Sequence, residues 1–198
     1  MASRPNMHTV VHTLTVNSMG ESARASWKLP AYQRPLVWEP EQALRLIESV
    51  YEGYPIGSLL VWQRTWDDLI LLDGQQRLAA LTGIRCGTEE PGPQVGWSFL
   101  GRRWTLAPEG PEDTWTTLRW WQESDGYDRV MKLGELREQH GDELWEDAIN
   151  AFDRIIWSAA PVHVLERATP EQAVEAFRRL NVEGTPFDLD ELARLLRA

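Results

Sequence analysis

One cysteine, two lysines and four histidines are all that the 198 residues contain of those side chains. The lone Cys86 permits no intramolecular disulfide and no cysteine-rich zinc site. No stretch approaches the roughly 20 apolar residues of a membrane-crossing helix. The segment up to Gly20 has no sustained apolar core of the kind a secretory signal carries. The expectation is a soluble, cytoplasmic protein with no membrane partner. Neither Lys28 nor Lys132 lies in a G-x-x-x-x-G-K-[ST] loop, so any nucleotide chemistry is not of the P-loop kind. No G-x-S-x-G nucleophile elbow is present. His8 and His12 have helix-neighbour spacing, but their segment reads as extended and lacks an acidic partner. His140 falls in a polar loop and His163 in a strand-like segment, so none of the four reads as a ligand or a catalytic base. Positive charge is scarce as well: 20 Lys and Arg against 30 Asp and Glu give a net charge of −10. That balance argues against a stand-alone, nonspecific nucleic-acid binder. The pairs Arg102-Arg103 and Arg178-Arg179 read as solvated faces rather than as a binding patch.

What is present is ordinary in bulk. Hydrophobic content of 42% and charged content of 25% suit a globular chain. A chain of this length can bury about 70% of the surface its unfolded form exposes. Eleven tryptophans are many, and they read as packing residues before stacking platforms for bases. Weak alternation through Val10, Val11, Leu14 and Val16 predicts an edge strand or a short helix. Trp27 to Arg34 reads as extended, with Pro30 and Pro35 disfavouring helix. Pro40 opens a helix at its preferred first position; Ala43, Leu44, Ile47, Val50 and Tyr51 give it an apolar face, and Gly53 closes it. The β-rich runs Ser58 to Arg64 and Asp68 to Leu72 predict a hairpin or neighbouring strands.

A further helix follows, with Leu78, Leu81 and Ile84 inward and Gly87 as its stop. Glu89 to Pro93 is a loop by composition, and Val95 to Leu100 pairs with Arg103 to Leu106 across Gly101-Arg102. Pro108 to Gly126 shows no clear pattern. Leu144, Trp145, Ala148, Ile149, Phe152, Ile155 and Ile156 mark a helix within Gly141 to Ser158, and Pro161 to Leu165 reads as a short strand. Thr169-Pro170-Glu171-Gln172 combines a capping box with proline at the first helical position. Asn181 to Pro186 is a turn, and Asp188-Leu189-Asp190-Glu191 starts a last helix. Interspersed strands and helices predict an α+β, mixed α/β class for a single domain over 1–198.

The run Leu71-Leu72-Asp73-Gly74-Gln75-Gln76-Arg77-Leu78 stands out from this background. It reads as the end of an apolar strand, a tight turn and the start of a helix. A helix N-terminus offers unpaired N–H groups and a positive dipole end. A glycine lets a ligand approach the backbone, and a guanidinium is a planar cation suited to phosphate. Together they make a cradle for an anion. Each residue also has a plainer reading. Asp73 would cap the helix, or hold Mg²⁺ or a water beside phosphates. Arg77 would pair with a carboxylate, or bind phosphate. Gln75 and Gln76 are surface amides, or contacts to a base, a ribose or an attacking water.

D-G-Q-Q-R also carries a resemblance, together with two further segments in the same order. One is Trp27-Lys28-Leu29-Pro30-Ala31-Tyr32-Gln33-Arg34-Pro35, followed by Trp38 and a helix that leads into Gly53-Tyr54-Pro55-Ile56-Gly57. The other is Ala176-Phe177-Arg178-Arg179-Leu180-Asn181-Val182-Glu183-Gly184-Thr185-Pro186. From Trp27 to the C-terminus the chain resembles the DGQQR family of ParB/sulfiredoxin-like domains, the N-terminal, nucleotide-using half of GmrSD-type modification-dependent restriction enzymes and related anti-phage proteins. The resemblance implies a small sheet with packed helices and further C-terminal helices. It implies a nucleotide-binding domain that hydrolyses nucleoside triphosphates with Mg²⁺. Asp73, Gln76 and Arg77 would be the catalytic residues and Asp73 the metal ligand. Gln33, Arg34, Gly74, Gln75, Arg77 and Asn181 would bind the nucleotide. A non-catalytic module that senses nucleotide or modified DNA is the alternative. The histidine-based nuclease half of such enzymes is not recognised here, so DNA would be met through a nuclease partner or a missing domain. The last helix reaches Arg197-Ala198 with no stop signal, which suggests a minimal member, an excised domain or one part of a split system. Leu189, Leu192, Leu195 and Leu196 give that helix an apolar face that would dock on more chain or on a second copy.

Overall fold

Leu59 to Trp62 are buried on every side chain, which requires apolar cover on both faces of their strand. The computed structural model, which describes residues 7–30, 38–86, 92–106 and 115–180, shows how that cover arises. The elements in chain order are β1 (His8–Thr15), α1 (Val16–Ala25), β2 (Trp27–Lys28), α2 (Pro40–Tyr51), β3 (Leu59–Thr65), β4 (Asp68–Asp73) and α3 (Gln75–Thr82). Then come β5 (Gly96–Ser98), β6 (Arg103–Thr105), β7 (Trp115–Thr117), α4 (Leu118–Glu123), α5 (Gly126–His140), α6 (Asp142–Ile156), β8 (Ala159–Glu166) and α7 (Pro170–Leu180). A five-stranded mixed sheet has the order β1-β8-β3-β4-β2, and a three-stranded antiparallel sheet has the order β6-β5-β7. The class is α+β, as the sequence predicts.

Strand alternation divides the core in two. Leu59, Val61, Leu71, Val162 and Val164 face the larger core, which they share with Met19, Ile47, Leu78, Leu81 and Phe152 from the helices. Leu60, Trp62, Ile70, Leu72 and Leu165 face the other way, onto Ala173 and Phe177 of α7. The indole N–H of Trp62 donates to the Ala168 carbonyl at 3.1 Å, fixing the approach to α7. Tryptophans 27, 62, 97, 104 and 121 are buried, which bears out their reading as packing residues. Trp121 stacks on Phe152 with ring centroids 4.2 Å apart.

Several expectations are met and several are replaced. The N-terminal segment forms both of its alternatives, strand β1 and then helix α1, with Thr15 capping the helix through Ser18 N–H. The β3–β4 hairpin is antiparallel as expected. At α7, Gln172 N–H donates to Thr169 Oγ1 at 3.3 Å and Thr169 N–H to Gln172 Oε1 at 2.8 Å, the expected capping box. Helix α3 does not run to Gly87: Gly83 ends it at φ +64, donating its N–H to Ala79 O. His140 is not in a loop but is the last residue of α5, an element without a sequence signature strong enough to predict it. His8 gains an acidic neighbour, Glu166 at 3.6 Å, supplied across the sheet by β8. Among the described residues no helix is long and apolar enough to cross a membrane.

Candidate functional site

Strand β4 ends at Asp73 and helix α3 begins at Gln75, so a single residue makes the turn. That residue is Gly74, at φ +99, a value an L side chain rarely adopts. A Cβ on Gly74 would also lie 2.8 Å from Leu59 Cγ of the adjoining strand. Gly74 is the N-cap, and no side chain caps the helix. Asp73 therefore does not serve as the cap that its position suggests. Its carboxylate accepts instead from Arg77 Nη2 at 2.9 Å. The pair is half-buried, with the Arg77 side chain 23% and the Asp73 side chain 32% exposed.

The remaining guanidinium donors of Arg77 make no other hydrogen bond among the described residues. The group lies against Gly57, where a Cβ would fall 2.6 Å from Arg77 Nη1 and where φ is +84. Gly57 is not a candidate that sequence reasoning finds. Its only signal is its place in the Tyr54-Pro55-Ile56-Gly57 segment, which says nothing about a distant arginine.

The two glutamines part company. Gln75 is buried, 9% exposed, and no hydrogen bond reaches its side chain among the described residues. Gln76 Oε1 accepts from Trp38 N–H at 3.2 Å and so ties the segment before α2 to the start of α3. Helices α2 and α3 also pack against each other. The structure thus brings Asp73, Gly74, Gln75, Gln76 and Arg77 to one turn. Gln33, Arg34 and Asn181 lie outside the described residues.

At the far end of the same hairpin sits a second charged group. Asp68 is buried and receives Lys28 Nζ at 2.8 Å and the guanidinium of Arg64. The hydrogen bond from Lys28, then Arg64, holds its carboxyl below the ordinary range. This cluster links β2, β3 and β4 and is fully paired, so it reads as structural. Cys86 is structural too: burial pushes its thiol up to about 12, and Sγ donates to Trp27 O at 3.1 Å. No group of three or more histidine, cysteine or acidic side chains able to hold a metal occurs among the described residues. Mg²⁺ usually takes one or two protein carboxylates and completes its shell with phosphate oxygens and water, and the carboxylate at this turn, Asp73, is engaged by Arg77.

Residues 16–196 match the family described as the GmrSD restriction endonuclease, N-terminal domain. The match spans most of the chain, and the protein belongs to that family: it is a restriction-system domain. No curated protein matches it in sequence.

Proposed function

We propose that this member of the GmrSD N-terminal domain family binds a nucleoside triphosphate at the β4–α3 turn and hydrolyses it with Mg²⁺. The observation that carries the reading is the start of α3. A glycine N-cap leaves the helix without a side-chain cap, and a guanidinium whose remaining donors make no other hydrogen bond among the described residues stands four residues beyond Asp73. Helix amides and dipole would hold phosphate oxygens, and Arg77 would add charge-assisted hydrogen bonds. The amide of Gln75, which can both donate and accept, suits a ribose or base contact. Mg²⁺ would neutralise phosphate charge when held by Asp73. Binding would draw the Arg77 guanidinium from Asp73 toward the phosphates, leaving that carboxylate to the metal or to an attacking water. Gln76 would keep the Trp38 segment beside the turn. Stabilisation of developing phosphoryl charge would be the main catalytic term. Contact with DNA belongs to a nuclease partner or a further domain.

Calorimetric titration and phosphate release on three proteins test this. Hydrogen bonds to charged groups contribute roughly 1.5–3 kcal/mol, so Arg77→Ala should weaken binding about ten- to a hundredfold. Asp73→Ala should depress turnover more than affinity. Normal binding by Arg77→Ala would remove the phosphate cradle. Binding by the wild type without turnover would replace the enzyme with a nucleotide sensor.

A further inference from the structure

The five-stranded sheet ends in two unlike edges. Strand β2 is two residues long, carries Lys28 and is followed by Pro30. Short length, lysine and proline are the usual devices that keep a sheet edge from pairing with another chain. Strand β1 has none of them. It runs for eight residues, His-Thr-Val-Val-His-Thr-Leu-Thr, without lysine, acid, proline or glycine, and its register with β8 is unbroken from His8↔Glu166 to Thr15↔Ala159.

The direction of its backbone groups follows from the ladder. Val16 N–H donates to Ser158 O at 2.8 Å. Backbone groups alternate sides along an antiparallel strand, so Leu14, His12, Val10 and His8 also point theirs at β8. Those of Thr9, Val11, Thr13 and Thr15 point outward. No hydrogen bond reaches the outward edge of β1 among the described residues, and none of Thr9, Val11 or Thr13 has any further partner there. Val11 is 55% exposed.

We infer that this edge pairs with β1 of a second copy, antiparallel and about a two-fold axis at Val11, joining two sheets into one. This register sets Val11 opposite its own copy and Thr9 opposite Thr13 of the other chain. All of these are residues whose N–H and C=O groups point outward. About six intermolecular hydrogen bonds would form, since each such facing pair exchanges two. Threonine meets threonine and valine meets valine, both favourable cross-strand pairs, and no charged side chain faces a like charge. An edge of threonine, valine, histidine and leucine has no charge pattern to select a foreign acidic or basic segment, whereas it matches itself. A strand pair of this length falls below the area of a standard interface, so the dimer is expected to be micromolar and concentration-dependent.

Sedimentation equilibrium over a concentration series, on wild type, Val11→Pro and Val11→Lys, tests the proposal. Proline at position 11 removes an outward N–H that no bond uses among the described residues, and edge strands tolerate it there. Lysine sets two like charges face to face across the axis. Wild type should dimerise as concentration rises, while both variants stay monomeric with wild-type circular dichroism. Amide exchange at Thr9, Val11 and Thr13 should slow with concentration in the wild type alone. Should Val11→Pro fail to fold, Val11→Lys and the exchange data decide. A wild type that remains monomeric overturns the inference, and so does a dimer that persists in Val11→Lys with unchanged exchange at the edge.

Discussion

Arg77 owes its position to a residue that has no side chain. Gly57 leaves the space its guanidinium occupies, and the backbone there has φ +84. Gly57→Ala therefore does two things. It forces an L residue into left-handed backbone, at a cost of about 1–2 kcal/mol. It also drives a methyl group into Nη1, so the guanidinium must shift from its place. Denaturant melts should show the stability loss, and nucleotide titration a drop in affinity approaching that of Arg77→Ala. Full affinity in a destabilised Gly57→Ala protein would separate Gly57 from the site. Asp68 gives a prediction in pH. Lys28, then Arg64, holds its folded value below the ordinary one. A carboxyl of this kind contributes stability that is fully present above the unfolded value, about 3.9, and is lost as pH falls through the folded value. The melting temperature of the wild type should fall across that window. Asp68→Asn should be less stable at neutral pH and should lose part of the acid sensitivity. Parallel acid limbs in the two proteins would show that Asp68 does not carry it.

Element boundaries follow from local chemistry wherever a cap is written into the chain. The Thr169 box at α7 is the plainest case, and its removal is measurable: Thr169→Ala should cost about 1 kcal/mol, read from chemical denaturation. An unchanged midpoint would mean that α7 is held by Phe177 and Ala173 alone. The same local logic makes Pro40 at the start of α2 and the Asp68-to-Leu72 run legible from residue order alone. Helix α5 is hidden in the sequence because its exposed side carries Tyr127, Val130 and Met131 while Leu133 and Leu136 are buried. Apolar residues on both sides blur the period that marks an amphipathic helix. The end of α3 falls at Gly83 rather than Gly87, two glycines that are equal candidates in sequence. Only the fold makes Gly83 the cap, since a Cβ there would meet Arg119 Cβ at 2.7 Å. The candidate site divides the same way. The five consecutive residues from Asp73 to Arg77 are legible as a unit because one turn brings them together. The Gly57 seat and the Trp38–Gln76 tie depend on contacts that sequence order does not encode.

At the scale of the whole molecule, charge limits what the domain can touch by itself. The net charge is −10, and several basic side chains among the described residues are already engaged by acids. Arg102 pairs with Glu143 and Asp147, while Arg178 and Arg179 share Glu175. Arg119 and Arg24 lie beside Glu123, and Arg137 pairs with Asp142. DNA binding gains most of its affinity by releasing counterions from phosphates, which needs cations that are not neutralised in advance. The described residues also gather no cluster of metal-ligating side chains that could cut a phosphodiester without a bound nucleotide. The expected outcome is that the purified chain, incubated with supercoiled plasmid and Mg²⁺ or Mn²⁺, leaves the plasmid intact. It should also show no duplex binding at physiological salt, with or without nucleoside triphosphate. On the proposed reading, the domain binds nucleotide and passes its state to whatever holds the DNA. Metal-dependent nicking that disappears in Asp73→Ala would reverse this assignment, because it would place the nuclease chemistry at the β4–α3 turn itself.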